Sequence, residues 1–322
     1  MPLPTSFEGR LSLPAVAAPM FLVSGPEIVK ETCKAGVVGT FPALNNRSTE
    51  GFDEWLTEIE TDLAAWEKET GQLAAPYGVN LIVHGSNPRV QADLEIIVKH
   101  KTPLVITSLG AVAELVEAVH SYGGVVFHDV TNMRHARSAM RAKVDGLILV
   151  CNGAGGHAGT LNPFAFLPEV RAEFDGTILM AGCISDGRGI AGARAMGADL
   201  AYLGTRFINT AESNAPAEFK TMITEANASD IVYTPAVSGV PGSFLRQSIE
   251  GAGLDPDNLP DKKEIDFGKE LTPENQSHKA WKNVWSAGQG VGTIDDMPPV
   301  ADLISRLKSE DEEAISGLTS RT

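Results

Sequence analysis

From about residue 15 to residue 226 the chain repeats one unit, a short apolar run followed by a stretch in which apolar residues recur every three or four positions. The apolar runs fall at 15–20, 37–41, 77–83, 104–109, 125–130, 146–151, 177–183 and 200–207, all rich in Val, Ile, Leu and Ala. Runs this short, apolar throughout, suit strands buried on both faces, while stretches such as 112–120 and 133–143 carry helical periodicity. Strand followed by helix eight times predicts an α/β fold, a (β/α)8 TIM barrel; a doubly wound open sheet is the competing arrangement. Glycine placement favours the barrel. Barrels often seat a phosphate at the loops after strands seven and eight, where Gly182 to Gly189 and Gly204-Thr205 fall, whereas an open sheet more often puts its glycine fingerprint after strand one. There the chain offers only Gly25.

The rhythm lapses after Ala211. Residues 213–280 combine helix-like pieces with Pro235-Ala-Val-Ser-Gly-Val-Pro-Gly242 and a charged stretch over 255–274, and they read as a smaller, mostly helical insertion or lid that contributes to the substrate pocket. Residues 1–212 and 281–322 then form the barrel and its closing segment, ending in a charged stretch of helical period over 299–313.

A formal net charge of −15 opposes binding to nucleic acid or to anionic membranes, so an anionic ligand must be held by local donors. No run approaches the roughly 20 apolar residues that cross a bilayer, and the N-terminus lacks a basic flank before an apolar core, so a cytoplasmic protein is expected. Cys33, Cys151 and Cys183 are too few and too scattered for a disulfide framework or a four-ligand zinc site, and no metal site is expected. Assembly as a homodimer is left open.

Three glycine-rich stretches at strand ends carry the chemistry. Ala181-Gly-Cys-Ile-Ser-Asp-Gly-Arg-Gly189 and Leu203-Gly-Thr-Arg-Phe207 have the makings of a phosphate cradle, since small residues let backbone N–H groups approach an anion and a following helix adds its positive end. Plain connecting turns would look the same one at a time; their succession is what points to a ligand. Arg188 can pair with phosphate or stay solvated, and Arg206 can equally form a structural ion pair. In Gly153-Ala-Gly-Gly-His-Ala-Gly159, His157 stands on a backbone stripped of side chains, including Gly155 and Gly156, which suits close approach of a flat ligand to an imidazole working near neutral pH. His128, ending the fifth run just before Asp129, is a second pocket candidate. Ala18, Pro19 and Met20 at the first strand end suit an aromatic ring, Asn80 could bond a ring edge, and Gln289 in Ser286-Ala-Gly-Gln-Gly-Val-Gly292 could be brought over the site.

Taken in order, Pro14-Ala-Val-Ala-Ala-Pro-Met20, Gly78-Val-Asn80, the Gly-Gly-His-x-Gly element, Ser185-Asp-Gly-Arg-Gly189, Leu203-Gly-Thr-Arg-Phe207 and Ser286-Ala-Gly-Gln-Gly290 resemble the 2-nitropropane dioxygenase-like flavoproteins, the group containing the nitronate monooxygenases. The resemblance spans about residues 10 to 295. It implies a TIM barrel holding FMN noncovalently, the ring lined by Ala18, Pro19, Met20 and Asn80, and the cofactor further contacted by Gly155, Gly156, Asp186 and Gln289. The phosphate would rest at Gly182, Gly187, Gly204 and Thr205, with His157 as the catalytic histidine. It further implies oxidative denitrification of an alkyl nitronate to a carbonyl compound and nitrite with O2, His157 serving as base or anion-holding group. FMN-dependent oxidoreductases acting with NAD(P)H on acyl carrier protein or coenzyme A thioesters share these elements and are the alternative; Lys262, Lys263 or Lys269 would then meet a pantetheine phosphate.

Overall fold

The computed structural model describes residues 3–110, 112–259 and 284–320. Eight parallel strands close into a barrel: β1 (Ala15–Ala17), β2 (Val38–Pro42), β3 (Tyr77–Ile82), β4 (Leu104–Ser108), β5 (Val125–Val130), β6 (Gly146–Val150), β8 (Thr177–Ala181) and β9 (Leu200–Leu203). Closure runs through β1 and β9, where Val16 faces Tyr202 and Ala17 faces Leu203. A closed ring has no edge strand, and this settles the arrangement in favour of the barrel. The short strand β7 (Gly156–His157) lies outside it.

Helices follow the strands and start where the sequence provides caps. Gly25 precedes Pro26 at the start of α1 (Pro26–Lys34), and the Ser48 hydroxyl accepts from the Gly51 amide to open α2 (Thr49–Thr70). Strand β3 is followed by α3 (Val90–His100) and β4 by α4 (Ala113–His120). Asn132 caps α5 (Met133–Arg141), Asn162 caps α6 (Pro163–Arg171), and Asp186 caps α7 (Gly187–Ala195). After β9 comes only one turn, α8 (Thr205–Ile208); the helix Val300–Thr319 returns from the C-terminal end to pack on α7 and α1, where an eighth barrel helix belongs. Leu303, Ile304 and Leu307 are its buried stripe.

The core has two main layers. Val16, Val38, Ile106, Phe127, Ile148 and Leu179 fill the barrel, joined by Phe7 from the N-terminal turn, whose ring centroid lies 5.9 Å from that of Phe127. A larger cluster packs between strands and helices. Apolar side chains thus cover both faces of every strand, which is why the sequence shows unbroken apolar runs rather than alternation.

The segment from 213 to 259 carries a pair of short strands beside its helices. Helix α9 (Ala217–Glu225) is followed by the strands β10 (Ile231–Thr234) and β11 (Gly242–Leu245) and by α10 (Arg246–Gly251). The two strands pair antiparallel, and β11 also pairs with β7, so that Gly242 faces His157. Phe219, Ile223, Leu245, Ala287, Val291 and Ile294 form an apolar cluster that ties this segment to the stretch after residue 284.

Candidate active site

Loops at the C-terminal ends of the strands enclose a cavity of about 920 Å³, the end of the barrel where such folds build their sites. Ala18, Pro19, Met20, Asn80, Gly155, Gly156, His157, Gly182, Gly204 and Thr205 all line it. Among the described residues its lining holds no lysine, arginine or glutamate, and one carboxylate, Asp129. A negatively charged ligand there must be met by backbone amides and neutral side chains.

The loop after β6 and the 286–290 stretch interlock through glycine. A Cβ on Gly155 would stand 2.8 Å from the Gly288 nitrogen, and one on Gly288 would stand 2.6 Å from the Gly153 carbonyl oxygen. Only hydrogens fit between these backbones. The contact is fastened by the Gln289 amide donating to the Gly153 carbonyl at 2.8 Å, and by the Gly288 amide donating to Thr205 Oγ1 at 2.9 Å. Gln289 thus serves through its main chain; its side chain is exposed and is not part of the cavity lining.

The phosphate loops divide. At the end of β8, Gly182 has φ +126° and Cys183 φ +58°, and across from it lie Gly204 and Thr205. Among the described residues the main-chain amides of Gly182, Cys183, Gly204 and Thr205 donate to no protein acceptor. That is the donor set of an anion cradle, and it fits a phosphate monoester such as the tail of FMN. Asp186 and Gly187, by contrast, stand outside the cavity lining. The Asp186 carboxylate accepts from the Gly189 amide at 2.7 Å, and the Gly187 amide donates to Glu310 Oε2 of the C-terminal helix at 2.8 Å. The positive end of α7 is therefore already met by two carboxylates of the protein itself. Arg188 is exposed and away from the cavity. Arg206 is buried, bonded to Asp296 at 3.0 Å and to the carbonyls of Asn209 and Asp296.

His157 reaches the cavity from β7. Its Nε2 lies 3.3 Å from Ser238 Oγ, and that hydroxyl donates to the Val240 carbonyl at 2.9 Å. With the serine proton committed, Nε2 is the donor of the pair. Burial lowers the His157 pKa to about 4, so the ring is uncharged at neutral pH. His128 also lines the cavity, but its Nδ1 is bonded to Thr107 Oγ1 at 2.7 Å; burial, together with His135, brings its pKa to about 4.

One chain of polar groups in the lining escaped the sequence reading. Asn80 Nδ2 donates to the Ile106 carbonyl at 3.2 Å and to Ser108 Oγ at 2.7 Å, and Ser108 Oγ donates to Asp129 Oδ2 at 2.5 Å. Asn80 thereby keeps its side-chain oxygen as an acceptor. Burial raises the Asp129 pKa to about 6 against the lowering effect of Ser108. The signal for this chain lay in register, since Asn80 pairs with Ile106 and Ile82 with Ser108 across β3 and β4. Tyr202, Tyr233 and Trp285 also line the cavity. Lys262, Lys263 and Lys269 lie outside the described residues.

Comparison with known proteins places this geometry. The model of the nitronate monooxygenase family matches residues 58–310. The chain belongs to the nitronate monooxygenase family. As a member it is an enzyme, an oxidoreductase of flavin type. It is 27% identical to a nitronate monooxygenase of Neurospora crassa, over 93% of this chain and 89% of that one. It is 26% identical to the 5-hydroxy-7a-methyl-1-oxo-octahydro-1H-indene-4-carboxyl-CoA dehydrogenase of Rhodococcus jostii, over 95% and 94% of the two chains. A solved nitroalkane oxidase of Streptomyces ansochromogenes shares the fold of this family member, with a TM-score of 0.80, 24% identity and coverage of 98% of this chain and all of the other. Among its described residues no helix is long and apolar enough to cross a membrane.

Proposed function

We propose that the protein is an FMN-dependent nitronate monooxygenase that converts alkyl nitronates to carbonyl compounds and nitrite with O2, with His157 as its catalytic residue. The observation that carries this reading is the pairing of an uncharged imidazole with an amide-built anion cradle in one cavity that lacks cationic side chains among its described lining. Gly182, Cys183, Gly204 and Thr205 would hold the phosphate, Ala18, Pro19 and Met20 the ring, and Asn80 a polar ring edge. Bound there, FMN would supply the electron-transfer chemistry that the side chains lack.

The protein's own part is binding and proton handling. An uncharged imidazole can accept the acidic proton beside a nitro group, and an anion arriving next to it pulls its pKa back up, so that the resulting imidazolium holds the nitronate oxygens. Ser238 keeps the ring oriented for either task. Residues 213–280 would act as the substrate-side insertion of the barrel, 1–212 with 281–322, and Phe219, Tyr233 and Pro241 of that insertion do line the cavity.

A second reading is favoured by Asp129: a carboxylate in the lining opposes an anionic substrate and suits transfer of hydride to or from a neutral carbon chain. That would be an FMN oxidoreductase acting on coenzyme A or acyl carrier protein thioesters with NAD(P)H, in line with the carboxyl-CoA dehydrogenase among the relatives. Anaerobic mixing decides. Bleaching of the yellow protein by an alkyl nitronate, with nitrite formed in air and no nicotinamide, supports the first reading; bleaching by NADH or NADPH alone supports the second. Protein that refuses FMN overturns both.

A further inference from the structure

Among the described residues Asp129 has no ion-pair partner, and the described lining of its cavity holds no lysine or arginine. Its Oδ2 accepts from Ser108, whose hydroxyl is in turn fed by Asn80, so the polar chain runs in one direction and ends on the aspartate. The other oxygen, Oδ1, is shut off from water and has no hydrogen-bond partner among the described residues. A permanently ionised carboxylate left so is costly, whereas a proton on Oδ1 removes the charge and leaves the Ser108 bond intact. The titratable groups around it are few. Tyr202 of β9 faces it, with its phenol pushed up by burial and by the Asp129 charge; His128 precedes it and turns to Thr107; His135 of α5 lies beyond His128, and His157 stands elsewhere in the same lining. None of these is a fixed cation, and the described lining holds no lysine or arginine.

Resting on the flavin reading above, we propose that Asp129 is the proton-holding residue of this cavity: it binds one proton when a bound flavin gains an electron pair and releases that proton on reoxidation. The balance is simple. A hydride from a reduced nicotinamide or a substrate carbon brings two electrons and one proton, leaving one added negative charge in the cavity. The Asp129 carboxylate cancels it by binding one proton on Oδ1, supplied in net terms by the solvent. When O2 or another acceptor removes the electron pair, the carboxyl gives its proton back. With burial raising its pKa to about 6, the group lies within easy reach of protonation near pH 7 when negative charge arrives. In this way a site without a cationic partner in its described lining accommodates charge on the ring.

The test uses the full chain loaded with FMN and reduced by dithionite at pH 7, followed by infrared difference spectroscopy. Reduction is expected to bring up a protonated-carboxyl band that is missing in D129N and shifted in S108A. Proton uptake, followed with an indicator dye in weak buffer, should be one proton per electron pair greater in the wild type than in D129N. Protein that binds FMN but shows no such band in the wild type, or equal uptake in the two chains, overturns the role of Asp129 while leaving the flavin reading in place. Protein that binds no FMN, seen in its first visible spectrum, overturns both. Should D129N fail to fold, the shift of the band in S108A carries the assignment, and a band unmoved by S108A overturns it.

Discussion

His157 and Ser238 are 81 residues apart in sequence, yet the imidazole Nε2 lies 3.3 Å from the serine hydroxyl because β7 and β11 share one small sheet. The insertion therefore aims the histidine that the barrel carries. Replacing His157 by Ala or Asn is expected to lower turnover by at least two orders of magnitude, the scale of a lost general acid or base, while FMN stays bound. S238A removes the orienting partner only, and turnover should fall about tenfold with cofactor content unchanged. Steady-state rates alongside flavin absorbance check both; unchanged turnover in H157A would refute the assigned role.

Acid should destabilise the fold in a defined window. His128 and His157 have folded pKa values of about 4 against an ordinary 6.5, so between these limits the unfolded chain binds protons that the folded chain does not. Stability from these groups is complete above pH 6.5 and is lost as pH falls toward 4. Asp129 works the other way, since its folded pKa of about 6 lies above the ordinary 3.8 and the folded state binds the extra proton in that range. Near pH 5 two protons oppose one, so these three groups together should contribute a fall of about 1.4 kcal/mol per pH unit on acidification. D129N removes the opposing proton and should roughly double that slope. Urea denaturation at a series of pH values measures it; stability that rises from pH 6 to pH 4 would contradict the assignment.

The Gly187 amide bonds Glu310 at 2.8 Å, and a Cβ on Gly187 would stand 2.3 Å from the Leu307 carbonyl oxygen and 2.4 Å from the Asp311 nitrogen. Both are main-chain atoms of the helix Val300–Thr319 on its buried, α7-facing stripe and cannot step aside. G187A should therefore cost about 3 kcal/mol or more and loosen the C-terminal helix. E310A should cost roughly 1 to 2 kcal/mol, as expected for one charge-assisted bond at a helix start. Because this contact lies outside the cavity lining, E310A should leave FMN affinity within about twofold of wild type. A large loss of FMN binding in E310A would return the start of α7 to the phosphate site.

Periodicity carried the barrel. The run at 125–130 is the whole of β5, and the other seven overlap their strands, because a parallel barrel strand buries both faces and writes itself as continuous apolar sequence. Within the insertion, Ile231–Thr234 and Gly242–Leu245 are four residues each, too short to show alternation, and are separated by a proline- and glycine-rich turn, so this pair of strands leaves no local signal. The cavity-lining part of the site was legible wherever a glycine or small residue marked a strand end. Gly187 reads as a phosphate contact because a helix start is the same sequence signal whether an external anion or a carboxylate from 123 residues away fills it. The Asn80, Ser108 and Asp129 chain depends on which strands adjoin and in what register, and no local motif records that.

Thr205 joins two loops with a single oxygen. Its Oγ1 accepts from the Gly288 amide at 2.9 Å, while its own main-chain amide belongs to the proposed phosphate cradle. T205S keeps the hydroxyl and should retain FMN affinity within about threefold. T205V keeps the shape but leaves the Gly288 amide without its acceptor, a cost of about 1 to 3 kcal/mol that falls on the loop meeting the cofactor. Retracting the 286–290 loop would also undo the close contact between Gly288 and Gly155, so FMN affinity should fall about tenfold or more, with the barrel itself intact by circular dichroism. Titration of apoprotein with FMN, followed by fluorescence quenching, separates the cases. Equal affinities for T205S and T205V would mean that the hydroxyl does not hold the loop, and that the glycine contacts alone keep the cradle closed.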